Sequence, residues 1–201
     1  MTPTAERAPI AAPATGRGLA TPLDQIDELH TLGPTGTNCE AAAHHWFALR
    51  GRPGRIALHD TLERALEAMR GRSGAALLGC AVYPELHTLV FSHLDRVALA
   101  DSFLMPTFEM VLAARGPDVR PRTVATHPAP QGLVPAGSAK TLVDSNAAAA
   151  IACAEGRVDG CITTGKAAAA HGLTVLWSAG PVPMVFTVHA PIAAPEAAEA
   201  G

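Results

Sequence analysis

What most constrains this chain is a pattern that recurs along it: a short apolar run, a turn, and a helix opened by a capping residue. The clearest copy begins at Ile26-Asp27-Glu28-Leu29-His30-Thr31-Leu32, where apolar and polar residues alternate as in a half-buried strand. Gly33-Pro34-Thr35-Gly36-Thr37 then turns the chain tightly. Thr37 and Glu40 read as a capping box, and Cys39, Ala42, Ala43, Trp46, Phe47 and Arg50 follow helical spacing. Arg55–His59 is the next strand. Asp60-Thr61-Leu62-Glu63 is a second capping box, opening a helix with apolar residues at Leu62, Ala65, Leu66 and Met69 and a stop at Gly71.

Ala75–Val82 reads as a buried strand, and Tyr83–Leu94 carries no clear signal. Further strands are predicted at Val97–Leu104, Phe108–Ala114, Arg122–Thr126, Thr141–Asp144, Asp159–Thr163, Thr174–Ser178 and Val182–Val188. Ser145-Asn146 is an N-cap pair for an alanine-rich helix closed by Gly156, and a shorter helix ends near Gly172. Strands alternating with helices predict an α/β fold built on parallel or mixed sheets.

Such sheets bind ligands at the carboxyl ends of their strands, where helix N-termini present unsatisfied N–H groups and partial positive charge. The polar residues of this chain gather at those positions: Thr35, Gly36, Thr37 and Asn38; His59 and Asp60; Thr126 and His127; Asp144, Ser145 and Asn146; Thr163 and Thr164. Caps account for some of these hydroxyls, whereas a shared ligand site accounts for all of them. The sequence does not separate cap from ligand donor. His127 precedes Pro128, which keeps it out of helical geometry, and a histidine at a strand end can donate a proton near neutral pH.

Composition removes several function classes. Fifteen basic against eighteen acidic residues leave a net charge of −3 with no basic patch, and only 4% of residues are aromatic, so nucleic acid is not expected as a partner. No apolar stretch has the length of a membrane span, and residues 1–21 lack the apolar core of a signal peptide, which predicts a cytoplasmic protein. The four cysteines form no C-x-x-C pair, and Cys39, Cys153 and Cys161 read as small apolar residues. The histidines form no metal-ligand spacing, since His44 and His45 are adjacent on a helix; no metal and no organic cofactor is expected. Gly160-Cys161-Ile162-Thr163-Thr164-Gly165-Lys166 matches the opening of a phosphate-binding loop but continues with Ala167, where magnesium needs a hydroxyl. Residues 1–24 and 190–201, rich in Ala, Pro and Thr or in Ala and Glu, are expected to be disordered around a folded body at 25–189.

Together these segments resemble the prephenate dehydratase superfamily. Gly33-Pro34-Thr35-Gly36-Thr37 followed by Glu40-Ala41-Ala42 is similar to that family's opening G-P-x-G-T, and Thr126-His127-Pro128 to its S-H-P. Asp144-Ser145-Asn146 with the alanine helix, and Ala168-Ala169-Ala170-His171-Gly172-Leu173, resemble its later motifs. The resemblance spans about residues 29–189 and departs at one place. Where dehydratases carry Thr-Arg-Phe, whose threonine is taken as the catalytic hydroxyl, this chain has Met184-Val185-Phe186. The family's P-I-E-N-S segment, due near Val82-Tyr83-Pro84-Glu85, is also unrecognisable.

That departure resembles the short branch of non-aromatising prephenate decarboxylases. The resemblance implies a two-lobed fold like type II periplasmic binding proteins, with a central cleft between two mixed sheets flanked by helices. Lobe 1 would hold about 25–107 and 179–189, and lobe 2 about 108–178. It implies prephenate as the small-molecule substrate and a dihydro-4-hydroxyphenylpyruvate product for specialised, antibiotic-type metabolites. A homodimer is the assembly expected. The two substrate carboxylates would be held by Thr35, Gly36, Thr37 and Asn38 of the turn and by the helix starts at Ser145, Asn146, Thr163 and Thr164, with Asp60 and Thr126 as further substrate-binding residues. His127 or a bound water would supply the proton. A dehydratase giving phenylpyruvate and a non-catalytic prephenate binder are the alternatives.

Overall fold

The computed structural model describes residues 18–193. The described residues divide into two units, one made of 18–105 and 185–193, the other of 106–184.

The first unit carries a five-stranded mixed sheet. β1 (Glu28–Leu32), β2 (Arg55–His59) and β3 (Ala75–Cys80) are parallel, joined by helices α1 (Asn38–Ala48) and α2 (Leu62–Ala68). α3 (Leu86–Phe91) leads to β4 (Val97–Pro106), and β10 (Pro183–Pro191) returns antiparallel to β3, giving the order β2-β1-β3-β10-β4. β1 is buried on both faces, as a central parallel strand must be. α1 buries Cys39, Ala42, Ala43, Trp46 and Phe47. The indole N–H of Trp46 donates to Asp101 on β4 at 2.9 Å; the Arg50 guanidinium pairs with the same carboxylate and lies 3.7 Å over the indole ring. A buried cluster of Leu62, Leu66, Met69, Leu77, Leu86, Leu89 and Val97 joins α2 and α3 to the sheet.

The second unit has its own mixed sheet in the order β7-β6-β8-β5-β9. β6 (Thr123–Thr126), β7 (Ala139–Leu142) and β8 (Gly160–Thr164) are parallel, while β5 (Met110–Ala114) runs antiparallel to β8 and to β9 (Thr174–Gly180). α4 (Asn146–Ala154) packs Ala149, Ala152 and Cys153 against Ala125 and Cys161. α5 (Gly165–Ala170) follows β8 directly. The alanines of α4 let it lie close to the strands, so close packing of small side chains supplies this core.

Several expectations need correction. Residues 18–24 are structured: Leu19 bridges to Ile192, Ala20 N–H donates to Pro191 O, and the Arg52 guanidinium donates to Leu23 O. The expected C-terminal disorder does not begin at residue 190, because β10 continues to Pro191. The remainder of both expected tails, residues 1–17 and 194–201, lies outside the described residues. The unit boundaries fall at 105/106 and 184/185, because β9 extends to Gly180 and stays paired with Met110. Tyr83–Leu94 contains α3, whose single turn and a half buries only Leu86 and Leu89, too few positions to show a period. The second cap is Thr61, whose hydroxyl accepts from Arg64 N–H; Asp60 is not the capping residue. β8 runs through Gly160 to Thr164, so Gly160 opens a strand and not a phosphate loop.

Candidate active site

In the first unit, the parallel order of β1, β2 and β3 brings their carboxyl ends to one edge of the sheet. The turn after β1 favours glycine at both positions. Gly36 has φ +88°, and a Cβ on Gly33 would come within 3.2 Å of Leu58 Cβ. Gly33 N–H donates to His59 O at 2.7 Å, which ties the turn to the end of β2. Thr37 caps α1 by accepting from Glu40 N–H, and the Glu40 carboxylate accepts from Gly36 N–H. One backbone donor expected to meet an external anion is thus already used by the protein's own carboxylate. Thr35 is exposed, and Thr37 and Asn38 are half-buried. Asp60 projects into solvent and pairs with Arg64 of α2 at 3.1 Å, so its charge is answered by the helix that follows it.

At His59 this edge meets a group that runs back along β1 and that sequence reasoning passed over as chemistry. His30 Nδ1 lies 3.0 Å from His59 Nε2 with the two rings stacked, and His30 Nε2 is 3.6 Å from Glu28 Oε2. Burial lowers the basicity of both histidines, opposed by the charge of Glu28 and, at His59, of Asp60. The available signal was register. His30 and His59 are ordinary strand residues in sequence, and only the β1–β2 pairing makes them neighbours.

In the second unit, β6, β7 and β8 likewise end together, and β5 begins at the same edge because it is antiparallel to β8. Ser145 caps α4 by accepting from Ala148 N–H at 3.0 Å, and Thr164 caps α5 by accepting from Ala167 N–H at 3.1 Å. A cap uses the hydroxyl oxygen as acceptor and leaves its proton to donate elsewhere. The other two hydroxyls have given their protons away: Thr163 to Asn146 O at 2.7 Å, and Thr126 to His127 O at 3.0 Å. Both threonines are fully buried, and their bonds hold the strand ends against the loops that follow. Asn146 Oδ1 is buried with no hydrogen-bond partner.

His127 is half-buried, and its Nδ1 accepts from Ala129 N–H at 3.3 Å, which places the proton of the neutral ring on Nε2. Burial lowers its basicity, with Asp144 opposing. Neutral His127 is therefore a hydrogen-bond donor, and charging it would sacrifice the Ala129 bond. Sequence reasoning also missed Glu109, immediately before β5, whose carboxylate accepts from Ser178 Oγ at 2.5 Å and whose carbonyl accepts from Gly165 N–H at 2.8 Å. Lys166, in the first turn of α5, holds its ammonium 5.2 Å over the Phe108 ring. Among the described residues, no three His, Cys, Asp or Glu side chains are grouped to hold a metal ion, and no helix is long and apolar enough to cross a membrane.

The chain is 28% identical over 183 residues to a prephenate decarboxylase of Bacillus subtilis (strain 168), covering 83% of this chain and 87% of that protein. It resembles the prephenate decarboxylases. No family model matches it. Among solved structures, prephenate dehydratase from Arthrobacter aurescens in complex with L-Phe superposes with a TM-score of 0.58 at 21% identity, over 83% of this chain and 61% of that one. The prephenate dehydratase of Staphylococcus aureus gives 0.58 at 14% identity, over 81% and 66%. The VFT2 domain of Bordetella pertussis BvgS gives 0.52 at 16% identity, over 83% and 81%. This chain thus spans less than two thirds of the Arthrobacter dehydratase. At these identities the structural matches show the fold: α/β, with mixed sheets flanked by helices, of the periplasmic-binding-protein kind.

Proposed function

We propose that this protein is a prephenate decarboxylase that removes the ring carboxylate without aromatising the ring. The observation that carries this reading is the 28% identity to a prephenate decarboxylase over most of both lengths, and the sequence resemblance supports it by setting Met184 where dehydratases carry their catalytic threonine. Loss of carbon dioxide leaves an electron pair in the cyclohexadiene. If the ring hydroxyl departs, the ring becomes aromatic; if a ring carbon takes a proton, the hydroxyl stays. A thioether has no proton to give a departing hydroxyl, so methionine at this position withholds the aromatising path. The product is then a dihydro-4-hydroxyphenylpyruvate, suited to specialised, antibiotic-type biosynthesis in the cytoplasm.

The proposed binding groups are Thr35, Gly36, Thr37, Asn38 and Asp60 of the first unit, and Thr126, Ser145, Asn146, Thr163 and Thr164 of the second. Ser145 and Thr164 are favoured as direct donors because their caps leave the hydroxyl proton available. Thr126 and Thr163 act by holding the strand ends, and Asp60 contributes least because Arg64 engages it. His127, the candidate proton donor of the sequence, has Nε2–H free to face the substrate because its Nδ1 accepts from Ala129 N–H. Firm binding of one carboxylate, with the scissile one left poorly solvated, favours loss of the latter.

The test is incubation of purified protein with prephenate, followed by ultraviolet absorbance and NMR of the product. A non-aromatic keto acid that retains the ring hydroxyl is expected. Phenylpyruvate above the spontaneous rate makes the protein a dehydratase and removes the argument from Met184. Binding with prephenate returned unchanged makes it a non-catalytic binder.

A further inference from the structure

Resting on the decarboxylase reading, we propose that His59 is the proton donor to the ring, with His30 and Glu28 as positioning residues behind it. The three groups form one line within the first unit. Glu28 is nearly buried, receives Arg55 and Arg72 at 3.6 Å each, and lies 3.6 Å from Nε2 of His30. His30 is 1% exposed, and its other nitrogen is 3.0 Å from Nε2 of His59. His59 ends β2, half-buried, at the carboxyl edge of the sheet, with its carbonyl holding Gly33 of the glycine turn.

Proton placement follows from the chain's ends. At 3.6 Å the Glu28 carboxylate is beyond hydrogen-bond reach of Nε2 of His30, but its charge favours the tautomer with the proton on Nε2. Nδ1 of His30 is then bare and must accept from Nε2–H of His59. That leaves Nδ1 of His59 as the end of the line at the sheet edge, where a further proton can be loaded without breaking any bond in the chain. His127 lacks this property, because its Nδ1 already accepts from Ala129 N–H. A buried imidazole whose second nitrogen has no closer partner than a carboxylate at 3.6 Å is a poor packing choice and a sound device for orienting a neighbour.

The step balances. The bond from the ring to the carboxylate breaks and carbon dioxide leaves; its electron pair passes through the diene and forms a C–H bond with the proton from Nδ1 of His59. The imidazole is left neutral, still donating through Nε2 to His30, and takes its next proton from water. The charged groups facing the pair are Glu28 from β1, Asp60 after β2 and Arg72 after α2, with Arg55 of β2 on Glu28. Glu28 favours the charged pair, so its neutralisation makes the acid lose its proton at lower pH.

The experiment measures prephenate turnover by the full chain, with circular dichroism to establish that each variant is folded. His59→Ala is expected to lower kcat about 100-fold or more, with KM within about threefold of wild type and partial rescue by added imidazole. Glu28→Gln is expected to move the alkaline fall of kcat to lower pH, a change that a purely structural role does not produce. His30→Gln should lower kcat and leave KM near wild type. Wild-type turnover with a folded His59→Ala that keeps its kcat overturns this inference and leaves the decarboxylase reading standing. Loss of kcat in His127→Ala with retention in His59→Ala does the same. Absence of wild-type turnover overturns both.

Discussion

Ser145 separates two roles that one hydroxyl can play at once. It caps α4 by accepting from Ala148 N–H at 3.0 Å, and its own proton remains free to donate, in the proposed function to a substrate carboxylate. Ser145→Ala removes both functions. The lost cap costs about 1 kcal/mol of stability, and the lost hydrogen bond to a charged group about 1.5–3 kcal/mol of binding, which is about ten- to a hundredfold in affinity. Ser145→Asp divides them. A carboxylate caps as well as a hydroxyl and gains about 0.3–1 kcal/mol from the helix dipole, so stability stays at or above wild type. For the substrate, however, it replaces a donor with a like charge. At a half-exposed site that repulsion adds about 1–2 kcal/mol to the lost bond, so binding falls by at least about seventyfold. Urea unfolding and calorimetric titration with prephenate read the two quantities separately. Wild-type affinity in Ser145→Asp refutes the reasoning, because the hydroxyl would then be a cap alone.

Three further outcomes are expected. Asp101→Asn keeps an acceptor for the Trp46 indole but loses the charge that pairs with Arg50; since that guanidinium is partly exposed, the loss is about 1–2 kcal/mol, read by urea unfolding, and an unchanged midpoint contradicts it. Burial holds the His189 imidazole down at about 4 against an ordinary 6.5, so the unfolded chain takes up the proton first as pH falls. Stability is full above 6.5 and declines towards 4 by about 3 kcal/mol; His189→Asn should flatten that limb, and an unaltered profile rules out this origin. Burial pushes the Cys39 thiol up to about 12 and also raises those of Cys80, Cys153 and Cys161, with Cys80 the one that is not fully buried. Thiol labelling of native protein at mildly alkaline pH should modify Cys80 slowly and the others only after unfolding; rapid labelling of Cys153 contradicts the buried α4–β8 packing.

The sequence by itself determined the elements whose signals are local. The strand at Glu28–Leu32, the Thr37 cap, the α2 stripe of Leu62, Ala65 and Leu66, and the Ser145 cap each arise from backbone and side-chain groups within a few residues of one another. The polar residues at strand ends were legible for the same reason, since their position follows from where a strand stops. Tertiary structure decided what each of them does. Thr163 spends its proton on Asn146 O, seventeen residues away, and Glu40 occupies a donor of the turn that looked open to an outside anion. His30 and His59 become a pair only because β1 and β2 align in parallel, and Glu109 reaches the edge of the second sheet only because β5 runs against β8. Such pairings depend on register and strand direction, which are set by the burial of whole sheet faces and by no single stretch of chain.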